Sequence, residues 1–277
     1  DGPTTKYGLY NSYNYYHDYV YNTIIVRGAG TSYAARIYGY AGHVVKNNNF
    51  IGLSTGTNYG LYGYGNTYPL VSDYNNFYVA SGYVGYWSGT KTTLTDWQSA
   101  TGQDAHSISV NPTFFSNTDL HTISSLVDGK GTHLIDYPYD IDGQMRDTLT
   151  PDIGADEFDP PAQEGALVSI VGPTTGCGLD TLSITVKIAN FGLDTINGNL
   201  MAYYSISGTT AISESVTSTI LPGDTLTFTF TNDAIVTSPV DTNLIVKAWI
   251  TLTGDPIQFN DTSSMVLFNG VIPPGPV

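Results

Sequence analysis

A four-residue string printed twice constrains this chain more than any other feature. Tyr7-Gly8-Leu9-Tyr10 recurs as Tyr59-Gly60-Leu61-Tyr62, 52 residues later, and Tyr33-Ala34-Ala35-Arg36 lies midway. An Asn-centred segment follows each: Asn22-Thr23-Ile24, Asn48-Asn49-Phe50 and Asn75-Asn76-Phe77. The first two are 26 residues apart and the third needs one inserted residue. His17 and His43 share the same offset. A fixed period of this length marks a stack of like units, each burying its apolar face on the next.

Long helices do not suit the unit. Gly, Asn and β-branched residues are dense in it, while Ala, Leu, Glu and Lys are scarce. No leucine-rich framework is present. Short strands and turns suit one coil of a parallel β-helix, with coils about 4.8 Å apart. Leu9, Ala35 and Leu61 are then expected to align as interior residues. Tyr7, Tyr33 and Tyr59, two positions earlier, are expected on the same strand face. Tyr10, Arg36 and Tyr62 should face outward, and Ile24, Phe50 and Phe77 should be core. Asn22, Asn48 and Asn75 are expected to hydrogen-bond along the axis and to tolerate left-handed backbone at the bends.

Beyond residue 86 the period fades. Residues 95–158 are expected to cap the last core layer, with Asp96 capping a short helical turn that carries Trp97. The blocks Leu94-Thr95-Asp96-Trp97-Gln98, Gly102-Gln103-Asp104-Ala105-His106-Ser107, Asn111-Pro112-Thr113-Phe114, Asp140-Ile141-Asp142-Gly143-Gln144-Met145-Arg146 and Pro151-Asp152-Ile153-Gly154-Ala155-Asp156-Glu157-Phe158 carry a resemblance. Together they resemble the C-terminal end of secreted bacterial right-handed parallel β-helix proteins. The resemblance implies that fold and an extracellular or cell-surface location. It implies no single activity, because such helices serve as lyases, hydrolases, adhesins and stalks.

The chain changes character near residue 160. Eighteen of its 22 tyrosines lie in residues 1–86, and only Tyr203 and Tyr204 follow residue 139. Pro160-Pro161 stiffens a connector, which places a boundary at 160–166. Residues 166–270 then show about seven alternating strands, among them Leu182/Ile184/Val186/Ile188, Leu200/Ala202/Tyr204/Ile206 and Leu244/Val246/Ala248/Ile250. Trp249 is out of phase and is expected at a bulge or on the outer face. The fold expected is all-β: a right-handed parallel β-helix over 1–160, an immunoglobulin-like β-sandwich over 166–270 and a linker at 271–277. Gly176-Cys177-Gly178, Val186-Lys187-Ile188-Ala189-Asn190-Phe191-Gly192, Leu221-Pro222-Gly223-Asp224, Gly254-Asp255 and Asn260-Asp261 resemble the CARDB type of adhesion-related module. The combination is similar to surface adhesins exported by the type IX route.

Charge narrows the partners. Nine Lys and Arg stand against 24 Asp and Glu, a net charge of −15. Nucleic acid and anionic membrane both need a basic face. No apolar run reaches the roughly 20 residues of a membrane helix. The single cysteine, Cys177, supports no internal disulfide. The opening DGPTT has no basic or apolar leader character, so the chain reads as a mature product or a fragment.

Two clusters carry chemistry. Eight acids fall within residues 136–159. Asp140-Ile141-Asp142-Gly143 begins like a calcium loop, but Gln144 and Pro151 stand where an EF-hand needs ligands. Asp140 and Asp142 are therefore candidates for Ca2+, against the plainer reading that Asp142 and Asp152 accept backbone N–H bonds in turns while Arg146 pairs with a neighbour. His17 and His43 are expected to stack, more as a corner pair than as metal ligands. Asp18 and Asp73 do not share an offset, so no glycosidase acid pair is expected. The outward aromatics Tyr10, Tyr38, Tyr62, Tyr64, Tyr83, Tyr86 and Trp87 suggest a strip that contacts glycans, against plain sheet cover. The function expected is non-catalytic adhesion or display within a larger bacterial surface protein, contacting surface glycans or other cell-surface proteins. The alternative is the non-catalytic end of a secreted polysaccharide lyase or glycoside hydrolase.

Overall fold

A computed structural model describes residues 4–38, 42–64, 70–114, 118–207, 209–236 and 241–271, apart from the side chain of Tyr64. It divides into two compact units, Asp1–Asp159 and Pro160–Val277.

The first unit winds through three parallel sheets. One contains β1 (Lys6–Ser12), β4 (Ser32–Tyr38), β7 (Asn58–Tyr64) and β10 (Gly82–Tyr86), closed by the short antiparallel β11 (Thr90–Lys91). The second contains β2 (Asp18–Val20), β5 (Val44–Lys46) and β8 (Val71–Asp73). The third contains β3 (Thr23–Gly28), β6 (Asn49–Ser54) and β9 (Asn76–Val79). Each strand pairs in parallel with the strand three places later in the chain, so residues one repeat apart are neighbours. Leu9 pairs with Ala35 and Ala35 with Leu61. Ile24 pairs with Phe50 and Phe50 with Phe77. Phe50, Leu61 and Phe77 are fully buried in one core.

Polar ladders run beside that core. The Asn22 amide donates to Asn48 Oδ1 at 2.9 Å, and the Asn48 amide donates to Asn75 Oδ1 at 2.9 Å. Each acceptor oxygen also takes the backbone N–H of the Asn one winding earlier, at 3.0 Å. The ladder is the one expected. The left-handed backbone is not on it, however: Tyr21, Asn47 and Tyr74, one residue earlier, take φ of 54°, 58° and 57°. The bend therefore precedes the ladder by one residue in each winding.

α1 (Leu94–Thr101) packs on the core through the fully buried Trp97, whose ring lies 5.9 Å from Phe77. The helix N-cap is Thr93, not Asp96. Asp96 sits three residues on and returns a bond to the Thr93 N–H, completing a capping box. Gly85 faces the indole so closely that a Cβ there would collide with it. Residues 104–110 add one more turn on Ser72–Phe77, with Ile108 N–H donating to Asn75 O at 2.8 Å. Later residues meet the side of the winding. Asn47 and Asn49 donate to the carbonyls of Thr132 and Ile153 at 2.8 Å, and Gly154 N–H donates to Asn47 O.

The second unit has two main sheets. One is β12 (Gly165–Gly172), β15 (Thr185–Asn190) and β18 (Thr225–Thr229). The other orders β13 (Gly176–Cys177), β21 (Thr262–Gly270), β20 (Thr242–Leu252), β16 (Leu200–Ile206) and β17 (Ile212–Val216). The two-residue strands β14 (Thr181–Leu182) and β19 (Ala234–Ile235) pair separately. Alternate residues of both sheets meet in one core, including Val186, Ile188, Leu200, Ala202, Val246 and Ala248. Trp249 lies on the outer face, stacked on Tyr203 at 5.4 Å. No described helix is long and apolar enough to cross a membrane.

Candidate functional site

The outer face of the β1-β4-β7-β10 sheet carries two side-chain columns. Tyr7, Tyr33, Tyr59 and Tyr83 form the first, with ring centroids 5.2, 4.9 and 5.3 Å apart in turn. Tyr10, Arg36, Tyr62 and Tyr86 form the second. The Arg36 guanidinium lies 5.6 Å from the Tyr10 ring and 5.2 Å from the Tyr62 ring. Tyr62 and Tyr86 stack at 4.4 Å. Edge-to-face contacts join the columns, as between Tyr33 and Tyr62 at 5.3 Å. Each such pair contributes about 0.5–1.5 kcal/mol beyond area burial.

The first column is a correction. Strict alternation put Tyr7, Tyr33 and Tyr59 on the interior face with Leu9, Ala35 and Leu61. The strands instead bury two consecutive residues, Ala34 with Ala35, Gly60 with Leu61 and Val84 with Gly85. That break in phase turns the tyrosines on both sides of it outward. Its signal was legible: each repeat holds two small or apolar residues between two long side chains. Tyr7, Tyr33 and Tyr59 are thus surface residues that alternation missed.

The remaining candidates separate. Tyr10 is 54% exposed. Tyr38 ends β4, half-buried, with its ring 5.5 Å from Tyr13. Tyr64 ends β7 in register with Tyr38, and its side chain lies outside the described residues. Trp87 does not join the strip. It packs on the buried core, 6.3 Å from Trp97 and against Gly63, because its column continues the inward-facing Ile37.

Asp140 and Asp142 take different roles. Asp140 accepts the N–H groups of Asp142, Gln144 and Glu157 at 2.9, 2.7 and 3.1 Å, which makes it the turn-former expected of Asp142. Asp142 instead lies 2.6 Å from His121 Nε2, while Asp119 lies 2.5 Å from Nδ1. His121, Asp142 and Asp156 bring one ligand-type atom each within 4.8 Å of one another. The bonds from Asp119 and Asp142 push the His121 imidazole up to about 9. At neutral pH that shift favours the cation, which pairs with both carboxylates. Asp152 accepts the N–H groups of Gly129 and Phe158 at 2.7 and 2.9 Å, and burial pushes it up to about 7. Arg146 is buried over the Tyr21 ring at 3.9 Å and lies 3.4 Å from Glu157.

A folded-state value above the ordinary 6.5 stabilises the fold below pH 6.5, and that contribution is lost as pH rises through about 9. His121 is 42% exposed, so solvent screens the effect. The difference in melting temperature between the wild type and His121→Gln is expected to shrink by roughly 1–2 °C between pH 6.5 and 9.5. A difference that stays constant with pH would remove the ion-pair account.

The corner histidines stack at 5.8 Å. His43 Nδ1 accepts the backbone N–H of His17 at 3.2 Å, and burial holds His43 below its ordinary value. That bond uses the lone pair a shared metal would need.

No family model matches this chain. No curated protein matches it either. Among solved structures, the CARDB domain of a Pyrococcus furiosus protein is similar to it. The identity is 15%, and the match covers 42% of this chain and 100% of that one with a TM-score of 0.32.

Proposed function

We propose that this chain is a non-catalytic adhesion or display segment of a bacterial surface protein, made of the end of a right-handed parallel β-helix and an immunoglobulin-like, CARDB-type module. In this reading it is extracellular and meets hydroxyl-rich surface glycans. The paired tyrosine columns carry the proposal. The rings stack on one another along each column, and the Arg36 guanidinium lies among them, its Nη1 donating to the Tyr7 hydroxyl at 3.0 Å. Such a surface hydrogen-bonds to a glycan and differs from a flat stacking platform. Stacking also fixes the rings beforehand, which lowers the entropy lost on binding. The register of three parallel sheets, with like residues meeting each winding, supports the β-helix reading. The placement of the acids supports a passive role. Asp18 and Asp73 lie at opposite ends of different strands, held by Tyr137 at 3.1 Å and His106 at 2.8 Å.

A glycan array tests the proposal. Binding of the full chain is expected, and Tyr10→Ala with Tyr62→Ala should weaken it at least tenfold without loss of fold by circular dichroism. An array without signal, or binding indifferent to the double substitution, would remove the glycan surface.

A further inference from the structure

The sheet that carries the tyrosine columns holds no acid. In β1, β4, β7, β10 and β11 the charged residues are Lys6, Arg36 and Lys91, within a chain whose net charge is −15. Lys6 Nζ donates to Ala29 O, and Lys91 is within electrostatic reach of Asp96. Among the described residues no carboxylate pairs with Arg36. Its guanidinium carbon lies 5.6, 5.6, 5.7 and 5.2 Å from the rings of Tyr7, Tyr10, Tyr33 and Tyr62. Nη1 donates to the Tyr7 hydroxyl, and Nε is buried without a partner. Stacking does not call for a cation at this rung. Tyr10, Tyr62 and Tyr86 occupy the other three rungs of the same column.

Ring faces give a guanidinium only the partial negative charge of a quadrupole. A carboxylate gives a full charge and two oxygens that match the planar fork. With Nε buried, the edge left for an anion is Nη1 and Nη2, approached end-on. One cation set among neutral rings does not suit a polyanion, which needs several basic residues in a row and is repelled by the rest of an acidic chain. It suits one negative group on an otherwise uncharged, hydroxyl-rich chain. We propose that the tyrosine strip binds an acidic saccharide, whose carboxylate pairs with Nη1 and Nη2 of Arg36. This inference rests on the glycan-contact reading above and narrows it to sugars that carry a carboxylate. The neighbouring rings strengthen the pair, because they keep water from the guanidinium and so lower the local dielectric. Tyr7 and Tyr10, 40% and 54% exposed, flank the charge and are open to the sugar.

Xylo-oligosaccharides bearing a single glucuronate are titrated into the full chain by calorimetry. The same oligosaccharides, with the carboxylate reduced to an alcohol, are the comparison. The acidic form is expected to bind about tenfold tighter or more. The gap should narrow as salt is raised, because salt screens a half-exposed pair. Arg36→Gln should bring the two forms to equal affinity, and Arg36→Lys, which keeps the charge but loses the fork, should restore only part of the gap. The comparison in the wild type needs no variant, so it decides the matter even where Arg36→Gln does not fold. Equal binding of both forms, lost in Tyr10→Ala with Tyr62→Ala, would overturn the acidic sugar and leave the glycan surface standing. Absence of binding by any glycan, acidic or neutral, would remove both. A preference for the acid that survives in folded Arg36→Gln would overturn the assignment to Arg36. Tighter binding of a singly sulfated oligosaccharide, or of a neutral peptide with one Glu, would overturn the sugar carboxylate in favour of that anion.

Discussion

Trp97→Ala is expected to cost roughly 3–5 kcal/mol, the range for deleting a large ring from a packed core. The indole closes the last layer of the first unit against Phe77, Trp87 and Gly85. It also donates from Nε1 to Asp104 Oδ2 at 2.6 Å. Asp104 is buried and collects Ser72 and Ser107 hydroxyls at 2.9 and 2.6 Å and the Asn75 amide at 3.1 Å. Loss of the ring thus opens a cavity and removes one donor from a buried carboxyl whose ionisation burial already opposes. In a unit of this size the melting temperature should fall on the order of 10 °C. Trp97→Phe, which keeps most of the cover and loses only the donor, should cost about 1–3 kcal/mol. The measurement is urea unfolding of the full chain, followed by amide exchange in β7 to β10. A Trp97→Ala value within 1 kcal/mol of wild type would show that something else covers the core.

The second large effect concerns the amide ladder. Asn48 is completely buried and makes five side-chain hydrogen bonds. Its amide serves Tyr19 O, Lys46 O and Asn75 Oδ1, and its oxygen takes two donors from Asn22. Asn48→Ala strands groups on three windings where water has no access. About 3 kcal/mol or more is expected, because each buried group left unmade costs about 1–3 kcal/mol. Asn22 is only half-buried, and solvent can replace its partners, so Asn22→Ala should cost about 1 kcal/mol. Equal losses for the two variants would mean that the ladder acts through local turn geometry and not through bonding along the axis. Chemical denaturation of both variants decides it.

The second effect comes from residues whose partners repetition made legible. A period of 26 places Ile24 over Phe50 and Asn22 over Asn48 whatever the coil's detailed shape, because parallel pairing aligns residues one repeat apart. The alternation in 182–188, 200–206 and 244–250 likewise fixes which residues meet in the second core, since a strand side chain has only two faces. Thr93 was overlooked as a helix cap because Asp96 carries the stronger single-residue signal, yet the capping box uses both.

What the linear chain determined, then, is its winding, its ladders and its two cores, all consequences of local period. Tertiary structure settled which way Tyr7, Tyr33 and Tyr59 point: the paired small or apolar residues of each repeat permit two consecutive residues to be buried, and the filling of the interior decides that they are. It alone drew Trp87 inward and brought Thr132, Ile153 and Gly154 against Asn47 and Asn49. It alone brought Glu164 to Asn260, 96 positions apart, because no periodicity links the start of one strand to the turn before another.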